Sequence, residues 1–291
     1  MVGLRFAVFV APPVPFLSPL TKSKGGLWSP ISCTLIYTEQ EAVLVDTPIT
    51  ESQTSALIEW IQEVAPGRKL SFIYITHGHG DHFFGLPQLL EKFPEAKPVA
   101  TAATLRHMEE QVEEQGFNAT WEARFPGQIR RPFVLAQALG QENNFRLEGQ
   151  WLFQAIECGH SDTYDSTVLW VPDLRLAVCG DVVYGEVHQM LFEANTKKKR
   201  QDWIRAIEQV EALNPHYVVA GHKKAVEADG PWHLASSKQY IADFGEILAR
   251  GAEDADKVFE EMSRLYPRRF NPAALRLGCI GAFNVPIEQR I

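Results

Sequence analysis

Cysteine is scarce in this chain of 291 residues: Cys33, Cys158, Cys179 and Cys279 stand far apart, and none forms a C-x-x-C pair. That scarcity excludes a disulfide framework and a thiolate zinc site, and it points to a reducing compartment. Positive charge is short as well. Thirty-six acidic residues against 28 basic ones leave a formal charge of −8, so a nucleic-acid partner, whose recognition needs a basic face, is not expected. The single basic run, Lys197-Lys198-Lys199-Arg200, reads as an exposed helix start carrying solvated charge. No apolar stretch approaches the roughly 18 residues that a membrane span requires. The apolar run Arg5 to Ala11 is cut off by Pro12, Pro13 and Pro15, which makes it a first strand rather than a signal sequence. A cytoplasmic protein without a membrane partner is the expectation, and no feature sets an oligomeric state.

What the chain does have is histidine in an unusual place. Ile75-Thr76-His77-Gly78-His79-Gly80-Asp81-His82 follows directly on the apolar run Leu70 to Ile75. Loops prefer glycine, proline, asparagine and serine, whereas neutral imidazoles and carboxylates are ligands that zinc accepts. Alternation at the end of an extended strand points His77 and His79 the same way, and Asp81 and His82, continuing into a turn, can face a second ion.

Four further segments share this syntax, an apolar extended run that delivers a polar residue at its C-terminal end. Ala42 to Val45 precedes Asp46, Trp151 to Ile156 precedes His160, Leu174 to Cys179 precedes Asp181, and Tyr217 to Ala220 precedes His222. Open α/β sheets gather ligand sites at strand C-terminal ends, so these residues can converge despite their separation. Helical patterns alternate with the strands: Ala56, Leu57, Trp60, Ile61 and Val64 share one face, and Trp203, Ile204, Ile207, Val210 and Leu213 another, before Asn214-Pro215 stops the helix. Between Gly116 and Gly140 the periodicity weakens, which predicts a connecting excursion. From Trp232 onward the chain reads as helical, with Tyr240, Phe244, Leu248, Val258, Phe259, Met262 and Leu265 inward.

These motifs, taken in order, resemble those of the metallo-β-lactamase-fold superfamily of metallo-hydrolases, over roughly Ser32 to His222. Asp46 matches the acidic residue after an early strand, and His77, His79, Asp81 and His82 match the H-x-H-x-D-H signature. His160, Asp181 and His222 match the remaining positions. The resemblance implies an αββα sandwich as a single domain over 1–291, with a core of about 1–230 and a helical cover over 231–291. It implies two metal ions: one held by His77, His79 and His160, the other by Asp81, His82 and His222. Asp181 would bridge them and Asp46 would orient the ligands. Zinc suits this nitrogen and oxygen set best, and iron or manganese also accept it. A metal-bridging hydroxide would then attack a polarised carbonyl.

Asp81 and Tyr184 are the candidate catalytic side chains. Tyr184 lies three residues after Asp181, a spacing similar to the Asp-x-x-Tyr of metal-dependent acyl-homoserine-lactone lactonases, where the phenol meets the substrate; packing on the sheet is the other reading. Phe16 and Trp28, from an apolar segment between the opening strands, and Phe83 and Phe84 are expected to form apolar walls near the metals. The expected reaction is the opening of a small hydrophobic lactone or lactam. A glyoxalase II-like or acyl-carrier thioesterase is the alternative, and a mono-iron oxygen-using enzyme of the same fold is a further one.

Overall fold

Strand alternation decides how this chain layers itself. In Glu41–Val45, Ala42 and Leu44 turn to one apolar cluster while Val43 and Val45 turn to another. In Ser166–Val171, Leu169 and Val171 join the second of these clusters and Val168 and Trp170 face a third. Two sheets that each carry apolar residues on both faces must be covered on both sides. The outcome is a four-layer αββα sandwich.

The computed structural model describes residues 3–19 and 22–291. The first sheet runs in the order β1 (Arg5–Ala11), β4 (Ile31–Tyr37), β5 (Glu41–Val45), β6 (Lys69–Tyr74), β7 (Lys97–Ala100) and β8 (Gln137–Ala138). It is antiparallel from β1 to β5 and parallel from β5 to β8. The second sheet runs β13 (Tyr217–Val219), β12 (Leu176–Val178), β11 (Ser166–Val171), β10 (Trp151–Gly159) and β9 (Asn144–Leu147). A separate hairpin, β2 (Pro15–Leu17) with β3 (Lys24–Leu27), stands apart from both. Tyr74, Phe145, Phe153, Leu169 and Val219 meet between the two sheets.

Helices α1 (Glu51–Val64), α2 (Leu86–Lys92) and α3 (Ala102–Val112) contribute Leu57, Ile61, Leu86, Leu89 and Met108 to the outer face of the first sheet. Thr50 starts α1 with a full capping box, accepting from the Gln53 backbone N–H while the Gln53 side chain accepts from the Thr50 N–H. The excursion after Glu113 is partly helical: α4 (Glu114–Phe117) runs into a single π turn, Asn118–Glu122. Beyond the second sheet lie α5 (Lys197–Ala212), α6 (Trp232–Ala249), α7 (Ala255–Leu265), α8 (Pro272–Phe283) and α9 (Ile287–Arg290). Trp203, Tyr240, Phe244, Val258, Met262 and Leu275 pack there against Val168, Trp170 and Val218.

Three expectations are corrected. Arg200, expected in a solvated helix start, is buried, and its guanidinium donates to the Ala194 and Arg290 carbonyls. Leu265 is exposed at the end of α7 rather than inward. Phe83 and Phe84 lie in the core under α1 to α3, each at 1% exposure, because the turn after His82 folds back toward the first sheet.

Candidate metal centre

Four strand ends deliver a candidate ligand at the same offset. His77 lies three positions after Tyr74 of β6, Asp162 three after Gly159 of β10, Asp181 three after Val178 of β12, and His222 three after Val219 of β13. Asp46 follows β5 directly and takes a left-handed conformation, φ 60°, which aspartate tolerates better than most residues. Two glycines make room for the convergence. At Gly180, φ 48°, a Cβ would strike the Thr76 side chain, and at Gly221 it would strike Asp181 and the Gly180 backbone.

The side chains meet in three overlapping groups: His77, His79 and Asp162; His77, His82 and Asp181; and Asp81, His82 and His222. Each imidazole is held from outside through one ring nitrogen. His82 Nδ1 donates to Asp46 Oδ2 at 3.0 Å, His222 Nδ1 to the Pro30 carbonyl at 2.7 Å, and His79 Nε2 to Glu193 Oε1 at 3.3 Å. His77 Nδ1 donates to Thr76 Oγ1 at 3.0 Å, and that hydroxyl donates to Asp46 Oδ2 at 2.8 Å. The Thr76 backbone N–H completes the Asp46 contacts at 2.9 Å. With these protons placed outside, the inward nitrogens carry lone pairs.

The inward nitrogens face carboxylates. His79 Nδ1 is 3.0 Å from Asp162 Oδ2, His82 Nε2 is 3.2 Å from Asp181 Oδ1, and His222 Nε2 is 3.2 Å from Asp181 Oδ2 and 3.7 Å from Asp81 Oδ2. A lone pair and a carboxylate at such distances repel unless a cation lies between them. Buried His77 Nε2, Asp162 Oδ2 and Asp181 Oδ1 have no hydrogen-bond partner among the described residues, and orphaned buried polar atoms are costly. The donor set therefore fits metal ions. Without them only protons can take the place of the cations. Burial disfavours charge on His79, yet Asp162 and Glu193 raise its proton affinity well above the ordinary value; burial likewise opposes His82, and Asp181 and Asp46 raise it. Burial also pushes the Asp181 carboxyl up, but His222 and His82 hold it well below the carboxylate range.

His160 is not among these groups. Its ring is half-buried, turned to the Ser161 carbonyl at 2.7 Å, and the group that contains His77 and His79 has Asp162 as its third member. The two lie two residues apart, just past the Glu157/Gly159 bulge of β10, where Gly159 takes φ 77°. The other expected residues are brought together: His77, His79, Asp81, His82, Asp181 and His222 in the groups, with Asp46 behind His82. Glu193, Thr76 and the Pro30 carbonyl went unforeseen, as second partners of ring nitrogens.

A cavity of about 310 Å³ opens over the groups, with His79, Asp81, Asp162, Asp181, Tyr184 and His222 on its floor. Trp28 forms one wall, and its indole N–H donates to Asp81 Oδ2 at 2.9 Å. Phe16 packs edge-on behind Trp28, and neither it nor Phe83 and Phe84 reaches the cavity. Tyr184 is buried, and its hydroxyl donates to Asp181 Oδ2.

A profile of the Metallo-beta-lactamase superfamily matches residues 26–222, more than half of the chain. The chain belongs to the metallo-beta-lactamase superfamily. This superfamily member is 26% identical over 199 residues to a hydroxyacylglutathione hydrolase of Synechococcus sp. (strain CC9902), covering 66% of each chain. It is 35% identical over 68 residues to the protein YobT of Bacillus subtilis (strain 168), covering 23% of this chain and 28% of that one. It thus spans less than two thirds of these relatives' length. Among solved structures, a metallo-beta-lactamase from Pontibacter korlensis superimposes with a TM-score of 0.56 at 16% identity, covering 83% of this chain and 100% of that one, a likeness of fold.

Proposed function

We propose that this superfamily member is a dinuclear zinc hydrolase that opens a small lactone or lactam. The observation that carries the reading is the facing of lone-pair nitrogens and carboxylates, each imidazole anchored from behind. His77, His79 and Asp162 would hold one ion and Asp81, His82 and His222 the other, with Asp181 shared. Zinc, when bound, supplies a water that ionises near neutral pH and a Lewis acid for the substrate carbonyl.

The protein's own groups do the rest. Asp46 and Thr76 fix His82 and His77, and Glu193 fixes His79, so the ligand rings do not reorganise during the reaction. Asp81 stands at the cavity floor with one oxygen tied to the Trp28 indole; its carboxylate takes the proton released as water adds to the carbonyl and returns it to the leaving atom. Tyr184 acts as a positioning residue, holding Asp181 by its phenol. Burial and the neighbouring Asp181 raise the Tyr184 hydroxyl well above its ordinary pKa, so it stays a donor at any working pH. Trp28 and Trp121 form an apolar wall that keeps bulk water from the floor.

A thioesterase is the second reading, and the alignment with a hydroxyacylglutathione hydrolase favours it. The test is metal content, then turnover of a homoserine lactone, a γ-lactam, a β-lactam and an acyl thioester. Zinc at two per chain and fastest turnover of a lactone or lactam support the first reading; preference for the thioester by orders of magnitude replaces it with the second. One iron and no zinc per chain would overturn both.

A further inference from the structure

Besides its acidic floor, the cavity has a single lysine or arginine in its lining among the described residues, Arg124. Among the described residues its guanidinium has no carboxylate partner, and its one side-chain hydrogen bond there is donated to the Thr120 carbonyl at 2.5 Å, which leaves most of its five N–H groups without a described partner. Glu122, two residues away, turns instead to the Gly127 N–H at 3.0 Å. Glu110, on α3, accepts from the Tyr164 hydroxyl. In a chain with eight more acidic than basic residues, an unpaired guanidinium in a cavity wall is out of keeping with the rest of the molecule.

The backbone beneath it is fixed. Trp121 and Phe125, on either side of Arg124, are at 4% and 0% exposure, and the Arg124 carbonyl accepts from the Leu17 N–H of β2 at 3.0 Å. Both rings pack against Trp28, with centroids 5.7 and 5.6 Å away, and Trp28 reaches Asp81 on the other side. Trp28 thus joins the floor, through Asp81, to the two rings that flank Arg124 in sequence. Burial depresses the Arg124 pKa from its ordinary value, which marks a cation that water solvates poorly and that an anion would stabilise. Gln111 lines the same cavity, and its amide oxygen already accepts from the Trp121 indole at 2.9 Å, so that its remaining groups are N–H donors.

We infer that Arg124 and Gln111 form a subsite for a carboxylate, and that the substrate is an ester, lactone, lactam or thioester carrying a free carboxylate across an apolar body from the bond to be cleaved. This rests on the hydrolase reading for the cleaved bond but not for the anion. The hydrophobic substrate expected from sequence thereby becomes an amphiphilic one. Specificity would come from a guanidinium on the helical excursion, 114–124, away from the metal ligands.

The test uses paired probes on the full chain. In protein stripped of metal by a chelator, phenylbutanoate should bind about tenfold tighter than phenylbutanamide, the discrimination expected of one charge-assisted contact. Arg124→Gln should bring the ratio to about one, and Arg124→Lys should keep part of it. In zinc-loaded protein, the ratio of kcat/KM for para-nitrophenyl hydrogen glutarate to that for its methyl ester should fall about tenfold in Arg124→Gln, carried by KM. Equal binding of acid and amide by the wild-type protein, or a preference that survives Arg124→Gln, would overturn the inference. If zinc fails to load while the preference in stripped protein depends on Arg124, the subsite stands and the hydrolase reading falls.

Discussion

Replacing Asp162 by asparagine or alanine, and His160 by alanine, separates two ligand sets that differ in one member. Asp162 offers Oδ2, a buried oxygen without a hydrogen-bond partner, 3.0 Å from the inward nitrogen of His79. His160 offers a half-buried ring turned to its neighbour's carbonyl. Removing an outer partner of a metal ligand typically costs ten- to a hundredfold in affinity. Losing a direct ligand should cost more, at least about a hundredfold, or roughly 2.7 kcal/mol. Asp162→Asn keeps the side-chain volume and an oxygen for the Ser161 hydroxyl, which donates to Asp162 Oδ1 at 3.0 Å, so loss of fold does not confound it. Zinc titrated against a chromophoric chelator should show one of two sites weakened by at least that factor in both Asp162 variants, and by less than about threefold in His160→Ala. Two tight sites in Asp162→Ala together with one in His160→Ala would refute the reasoning and return the histidine to the centre.

Asp181→Ala removes the carboxylate shared by His82 and His222 and should lose at least one metal by elemental analysis and nearly all turnover. Tyr184→Phe should lower turnover and loosen zinc by about tenfold through Asp181; chelator titration checks it, and an unchanged rate would reduce Tyr184 to packing. Trp203, at 0% exposure with its indole donating to the Val182 carbonyl at 2.8 Å, should cost about 3–5 kcal/mol when replaced by alanine, measured by denaturant unfolding. Burial and the nearby Arg269 lower His188 to about 4. Its native form is thus neutral while the unfolded chain protonates it below about 6.5. The unfolded state binds the extra proton, so stability falls with acidification between those values by up to about 1.4 kcal/mol per pH unit. His188→Gln should flatten that part of the unfolding profile.

The layering was legible because strand alternation is written in side chains: Val43 and Val45 on one face and Ala42 and Leu44 on the other require two covering layers. The H-x-H-x-D-H cluster was legible because six positions leave little conformational freedom. The grouping of Asp162 with His77 and His79 was not, since the facing of a residue just past a strand turns on backbone geometry such as the bulge at Gly159, and the glycine alone signals a bulge without saying which way the next side chains point. The constant offset of three from strand end to ligand would have found it had the end of β10 been known. The Pro30 carbonyl behind His222 had no signal at all, because every residue carries a carbonyl. Phe83 and Phe84 misled for the opposite reason, as apolar rings beside a cavity and apolar rings in a core read alike.

Three consecutive residues fasten the opening of the chain to its far parts. The Trp28 indole reaches Asp81, the Ser29 hydroxyl accepts from the Asn271 amide at 2.7 Å, and the Pro30 carbonyl receives the His222 ring. During synthesis the first half can build its sheet and present His77 to His82 long before Asp181, His222 and Asn271 exist. A nascent chain therefore carries a half-formed chelating loop whose partners are still to be translated. Closure of the full donor set, and the seating of residues 28–30, must be late events that follow docking of the two halves.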